Sequence, residues 1–138
     1  MFIRSFQNQD EVGVIDLWRR CDLLRPQNDP RKDIQRKLKV QPHLFLIGLL
    51  DNQLIATAMA GYEGHRGWIN YLAVDPAHRR NGYARQIVNE AERLLRLEGC
   101  PKINLQVRTS NKDVIEFYCR IGFAIDDVVS LGKRLEHD

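Results

Sequence analysis

Cysteine is scarce and badly placed for cross-linking: Cys21, Cys100 and Cys119 are odd in number, widely separated and in no CxxC arrangement. Neither a disulfide framework nor a zinc site is encoded, no metal is expected, and a reducing compartment fits. Long apolar runs are also missing. The longest, Leu44 to Leu50, falls far short of the ~20 residues a membrane helix needs, and Met1-Phe2-Ile3-Arg4 lacks the basic region and apolar core of a signal peptide. The expectation is a cytoplasmic protein with no membrane partner. Charge of one sign is equally thin. The 21 basic and 18 acidic residues leave +3, too even a mixture for a nucleic-acid surface, although it tolerates a multiply phosphorylated ligand. There is no GxxxxGK[ST] and no GxGxxG, and Gly61, Gly64 and Gly67 have the spacing of neither, which removes the common phosphate loops.

What is present is an ordinary globular balance, 43% hydrophobic and 28% charged residues over a length of 138, enough for one core without covalent staples. With no linker, repeat or low-complexity stretch, residues 1–138 are expected to form a single domain. Phe2 to Phe6 alternates as a short strand. Asn8, with Glu11 three residues on, suggests a capping box opening a helix to about Cys21, its buried stripe being Val12, Ile15 and Trp18, which Cys21 could extend. Asp29-Pro30 reads as N-cap and first helical residue of a short second helix carrying Ile34 and Leu38. Leu44 to Leu50, the pair Asp51-Asn52, and Leu54 to Ala60 predict a hairpin, followed by a turn at Glu63 to Gly67 and a strand from Trp68 to Val74 that Asp75-Pro76 ends.

From Gly82 to Glu98 the residues Ala84, Ile87, Val88, Ala91, Leu94 and Leu95 share one helical face, and Gly99 closes the helix. Ile103, Leu105 and Val107 alternate as a strand, and Asn111 to Ile121 reads as a helix ended by Gly122. Phe123 to Leu135 is expected to supply one or two last strands. The order is roughly βααβββαβαβ(β), an α/β (mixed α+β) class with a mixed, mainly antiparallel central sheet and helices on both faces.

The segment after the strand ending at Val74 carries chemistry. A basic turn, His78-Arg79-Arg80-Asn81, leads into a helix opening with Gly82-Tyr83-Ala84. The first turn of a helix has unpartnered N–H groups and about half a positive charge, so an anion is stabilised there. Arg79, Arg80 and Arg85 crowd the same end, where cations are disfavoured by a few tenths to about 1 kcal/mol each unless an anion lies between them. A solvated basic turn before an amphipathic helix is the plain alternative.

Val74-Asp75-Pro76-Ala77-His78-Arg79-Arg80-Asn81-Gly82-Tyr83-Ala84 resembles the cofactor motif of the GNAT N-acetyltransferase superfamily, whose core is [QR]xxGx[GA]. A second stretch, Asn111-Lys112-Asp113-Val114-Ile115-Glu116-Phe117-Tyr118 with Gly122-Phe123, resembles that family's later motif at the expected distance. The resemblance covers nearly the whole chain in element order and is greatest to the small bacterial YpeA-type acetyltransferases.

The resemblance implies acetyl-coenzyme A as co-substrate and an amine, small-molecule or peptide, as acceptor. It assigns the pyrophosphate to the backbone of Arg80, Asn81, Gly82, Tyr83 and Ala84 with Arg79 alongside. The pantetheine arm falls to the backbone of Leu72, Ala73 and Val74, with a splay from the strand at Asn104 to Val107, and a cofactor contact to Asn111, which could equally be a helix N-cap. The matching tyrosine, Tyr118, would protonate the departing thiolate. A phenol of pKa ~10 can do so when both groups are sheltered from water. For the base, Glu63 and His65 follow from element order. Gln106 stands where protein N-terminal acetyltransferases of the superfamily often carry Glu, which argues against a peptide N-terminus as acceptor. Cys119 points about 100° away from Tyr118 on the helix and is read as structural. Leu23 to Pro30 falls where the family builds its acceptor pocket, and Arg25 could pair with an acidic acceptor.

A rival reading is a non-catalytic acyl-coenzyme A binding or sensing module, which would keep Arg79 to Ala84 and have no need of Tyr118. A nucleic-acid-binding domain would want a basic face with interleaved aromatics, whereas the arginines here gather at one helix start. An exposed C-terminal strand could pair with a second copy as a homodimer or simply be covered.

Overall fold

Asp51 and Asn52 both adopt left-handed φ, +50° and +64°, a pair of values that matches the twist of the flanking strands and that Asp and Asn tolerate best among residues with side chains. They reverse β2 (Phe45–Leu50) into β3 (Gln53–Tyr62), as the sequence predicts. The computed structural model describes residues Met1–Asp138. They divide into two compact units, Met1–Leu105 with Asp138, and Gln106–His137.

In the first unit β1 (Phe2–Ser5) pairs antiparallel with β2, and β3 pairs antiparallel with β4 (Gly67–Val74). A short β5 (Ile103–Asn104) lies parallel to the start of β4, giving the order β1-β2-β3-β4-β5. Residues Ile55 to Ala60 of β3 are buried without alternation, the pattern of a strand covered on both faces. Helices supply that cover. Val14, Leu17 and Trp18 of α1 (Glu11–Arg20) and Ile34 of α2 (Pro30–Lys37) join Phe6, Phe45, Ile47, Met59 and Ala73 in one cluster. Ile87, Val88, Ala91 and Leu95 of α3 (Tyr83–Leu97) are buried in the remaining core. The expected α/β class with a mixed sheet and helices on both faces is the one observed. No helix is long and apolar enough to cross a membrane.

Local departures have physical causes. The α1 stripe is Val14, Leu17 and Trp18, spaced i, i+3, i+4, while Val12 is 76% exposed; the α-helix begins only at Glu11, after a 3-10 turn over Asn8–Asp10. Its entry is held at Gln7, whose N–H donates to Asp10 Oδ2 at 2.7 Å. The Asp10 carboxylate also takes a two-pronged pair from Arg4, Nη1 at 2.8 Å and Nη2 at 3.1 Å. Asp29 caps α2 as expected, accepting from the N–H of Arg31 at 2.9 Å.

The second unit holds α4 (Lys112–Arg120) and no strand. Phe123 to Leu135 therefore departs from the expected closing strands. Phe123 and Ile125 alternate, but Asp126-Asp127 interrupts the period with two poor strand formers, and Ile125, Val128, Val129, Leu131 and Leu135 stay exposed.

Candidate functional site

Strand β4 is bulged. Between the pairs Thr57↔Ala73 and Met59↔Asn70 it carries one more residue than β3, and Tyr71 there has φ +51°. The bulge is held from beneath by Thr57, which is wholly buried and donates Oγ1–H to the Tyr71 carbonyl at 2.8 Å while accepting from Trp18 Nε1 at 2.9 Å. The Tyr71 ring stacks on Trp18, and its hydroxyl donates to Asp33 Oδ2 on α2 at 2.6 Å. Burial first, and the neighbouring Asp33 carboxylate second, push the Tyr71 phenol well above its ordinary pKa, so it stays a donor. Leu72, Ala73 and Val74 follow directly.

The strand exit is pinned to the end of α1. The Val74 carbonyl accepts from Cys21 Sγ at 3.3 Å and from Arg79 Nε at 3.2 Å. Asp75 donates its N–H to the Ile55 carbonyl at 2.8 Å, and its carboxylate accepts from the Ala77 N–H and from Arg20 Nη2, both at 2.9 Å. The Ala77 N–H and the Arg20 guanidinium hold Asp75 below the usual carboxylate range against the opposing effect of burial.

After the short helical turn Pro76–His78 the backbone is extended at Arg79 and left-handed at Arg80 (φ +65°) and again at Gly82 (φ +80°). Asn81 closes the turn, Nδ2 donating to the His78 carbonyl at 3.1 Å and to the Arg79 carbonyl at 3.3 Å. α3 starts at Tyr83 with no side-chain cap and no acid in its first turn. Its first helical bond runs from the Gln86 N–H to the Gly82 carbonyl at 3.0 Å, so the N–H groups of Tyr83, Ala84 and Arg85 precede the helical ladder. A Cβ built on Gly82 would meet nothing within 4 Å, so space stands open beside this turn. The residues present fit a phosphate group: consecutive N–H donors, an open approach and three arginines.

Within the first unit, Glu63 is not brought to this turn. Glu63 lies on the turn before β4, at the opposite end of the strand from Arg79 to Ala84, roughly 20 Å away at about 3.3 Å per residue. Its Oε1 closes its own turn, accepting from the His65 N–H at 3.1 Å and from the Arg66 N–H. Arg25 is engaged within its loop, donating to the Asp22 carbonyl at 2.8 Å. In the second unit, Asn111 stands at the N-cap position of α4, and its side chain makes no capping hydrogen bond. Tyr118 is buried, edge-on to Phe117 and Phe123 at 5.2 and 5.3 Å between centroids. Burial raises its phenol well above the ordinary value. Cys119 is exposed, and β5 ends at Asn104, so Gln106 is on no strand and donates instead to Ser130 Oγ. The Trp18, Thr57, Tyr71 and Asp33 network escaped the sequence reading, although a lone Thr in the apolar run Leu54 to Ala60 is a signal that could have raised it.

A mainly antiparallel sheet whose fourth strand is bulged and leads through a left-handed turn into an uncapped helix is a mixed α/β frame. The model of the "Acetyltransferase (GNAT) family" matches residues 12–123. An acetyltransferase of Pectobacterium atrosepticum is 46% identical over 138 residues, covering 100% of this chain and 98% of its relative. A solved acetyltransferase of Agrobacterium tumefaciens superposes with a TM-score of 0.80 at 18% identity, covering 97% of this chain and 100% of that one. The PaiA N-acetyltransferase of Thermoplasma acidophilum, solved in complex with coenzyme A, does so with a TM-score of 0.81 at 18% identity, covering 93% and 92%. The chain belongs to the GNAT acetyltransferase family. It is an enzyme, an acyltransferase.

Proposed function

We propose that the enzyme passes an acetyl group from acetyl-coenzyme A to a primary amine by direct attack in a ternary complex, and that residues 1–138 work as one catalytic domain. The observation that carries this reading is the turn from Arg79 to Ala84, where two left-handed residues precede an uncapped helix start in open space. The backbone of Arg80, Asn81, Gly82, Tyr83 and Ala84 would hold the pyrophosphate, with Arg79 beside it. When bound, the co-substrate supplies an activated thioester. The extended backbone of Leu72, Ala73 and Val74 would align its pantetheine arm along β4, directing the reacting end away from the phosphate turn and toward the Glu63 end of the strand.

The remaining work is proton handling. An amine is mostly protonated at neutral pH and must lose a proton before it attacks, the role assigned here to Glu63. Tyr118, kept protonated by burial, would donate to the departing thiolate, and Asn111 would contact the cofactor. The family match from 12 to 123 spans both compact units, which supports reading them as one domain.

The test is ligand-linked stability with turnover. Acetyl-coenzyme A is expected to raise the melting temperature more than ATP or NAD at equal concentration, because a ligand of the native state stabilises it by mass action. Thiol release with pooled amines should follow. Equal shifts from all three nucleotides would overturn the cofactor assignment. A selective shift with no thiol release from any amine would leave a binding module in place of the transferase.

A further inference from the structure

The chain holds one of its own carboxylates in a built cradle. Arg36 Nη2 donates to Asp138 Oδ1 at 2.8 Å and Nη1 donates to Oδ2 at 3.2 Å, a planar fork on a planar acceptor. The Asp29 N–H adds a third donor to Oδ2 at 3.0 Å. The Asp138 side chain is only 2% exposed, although the residue as a whole lies open, so the carboxylate is inserted while its backbone stays outside. Arg36 and the Asp29 N–H pull this carboxyl well below its usual pKa, as expected of a site complementary to the charged form. The helix that carries the cradle is basic, with Arg31, Lys32, Arg36 and Lys37 against the single acid Asp33.

The cradle is wired to the strand bulge. Arg36 Nη1 also donates to Asp33 Oδ1 at 3.3 Å, and the other oxygen of Asp33 accepts from the Tyr71 hydroxyl at 2.6 Å. Tyr71 is the left-handed residue immediately before Leu72, Ala73 and Val74. A carboxylate seated on Arg36 is therefore joined through two side chains to the segment assigned to the cofactor arm.

We propose that Arg36 and the Asp29 N–H form a carboxylate subsite for the acceptor, occupied in the free enzyme by the Asp138 side chain, so that the preferred acceptors are amines that also carry a carboxylate. The inference rests on the transferase reading above and names the substrate class of that site. A tethered carboxylate competes at an effective concentration in the millimolar range, so Asp138 acts as an intramolecular competitor that a substrate carboxylate must displace. The acceptor meets a fork that a neutral amide cannot engage in the same two-pronged way.

The test separates binding from chemistry. Succinate, which has no amine, is titrated by calorimetry into the parent, Asp138→Asn, and the double variant Asp138→Asn/Arg36→Gln, with succinamide as the neutral control. Asp138→Asn is expected to bind succinate at least about tenfold more tightly than the parent, and the double variant to lose that gain, since a charge-assisted pair is worth about tenfold or more. Succinamide should bind none of the three. Equal succinate affinity in parent and Asp138→Asn, or a gain retained without Arg36, would overturn the subsite. Should Arg36→Gln lower the melting temperature too far to measure, Arg36→Lys keeps the charge without the fork and should give an intermediate affinity. In turnover, amino acids are compared with their amides by thiol release. The parent should favour the free carboxylate in kcat/KM by about tenfold, mainly through KM, and Arg36→Gln should abolish the preference. Succinate binding through Arg36 with no acetyl transfer to any amine would refute the acceptor role and the transferase reading while leaving the anion site standing.

Discussion

Tyr118 and Gly82 divide chemistry from binding. Removing only the Tyr118 hydroxyl by Tyr118→Phe keeps the ring edges against Phe117 and Phe123. If the hydroxyl is the general acid, kcat should fall by about 10² to 10⁴ while acetyl-coenzyme A affinity holds. A purely structural tyrosine would leave turnover within a few-fold of the parent. Near-normal kcat would remove Tyr118 from the mechanism. Gly82 answers the other question. Its φ of +80° disfavours any side chain by about 1–2 kcal/mol, yet the space beside it is open, so Gly82→Glu should fold. A carboxylate there is even favoured by the helix start by a few tenths of a kcal/mol. What it cannot tolerate is a pyrophosphate in the same place, and acetyl-coenzyme A affinity should drop by more than about tenfold. Unchanged affinity would move the phosphates elsewhere.

Among the elements, the bulged β4 is the one on which the proposed site depends, and Thr57 is its support. Thr57→Val keeps the shape and removes both hydrogen bonds, leaving the Tyr71 carbonyl and Trp18 Nε1 without that partner. The loss should be about 2–3 kcal/mol, read as a lower urea midpoint at unchanged slope, with weaker acetyl-coenzyme A binding as Leu72 to Val74 shifts. Full stability in Thr57→Val would show that the bulge is fixed by the strand ladder alone. Elements closed by local chemistry were legible in the sequence: Asp51-Asn52 at the hairpin, Asp29-Pro30 at α2, and Gly99 after α3. The turn from Arg79 to Ala84 was legible for the same reason, since a helix start and its charges are local. The bulge was not, because Tyr71-Leu72-Ala73-Val74 reads as an unbroken strand and the extra residue is fixed by Thr57 and Trp18, both distant in the chain. The expected α1 stripe of Val12, Ile15 and Trp18 keeps Trp18 but not Val12, because the first turn of the expected helix is a separate 3-10 turn over Asn8–Asp10 and the buried positions are Val14, Leu17 and Trp18, spaced i, i+3, i+4. The closing strands expected over Phe123 to Leu135 are absent, and Asp126-Asp127, two poor strand formers, interrupt that segment.

At the scale of the whole molecule, the carboxylates set the response to acid. Burial alone would raise Asp10, but the two-pronged Arg4 pair and the Gln7 N–H hold it below its ordinary value. The Ala77 N–H and Arg20 lower Asp75, Arg93 lowers Glu90, and Arg36 with the Asp29 N–H lowers Asp138. Each folded-state pKa thus lies below its unfolded counterpart near ~4, so between the two values the unfolded chain binds more protons and stability rises with pH. The contribution is complete above the unfolded pKa and is lost as pH falls through the folded one. The pairs differ in weight. Glu90–Arg93 is largely solvated and screened, whereas Asp10 and Asp75 are buried and tie the entry of α1 and the exit of β4. Urea midpoints are therefore expected to stay level from about pH 5.5 to 8 and to fall steeply below about pH 4. Arg4→Gln should lower the plateau and flatten the acid limb, because Asp10 would then keep its burial cost without its partner, while Arg93→Gln should change neither by more than a few tenths of a kcal/mol. An acid limb equally steep in Arg4→Gln and the parent would show that Asp10 does not govern the loss, leaving Asp75, whose partner is removed by Arg20→Gln.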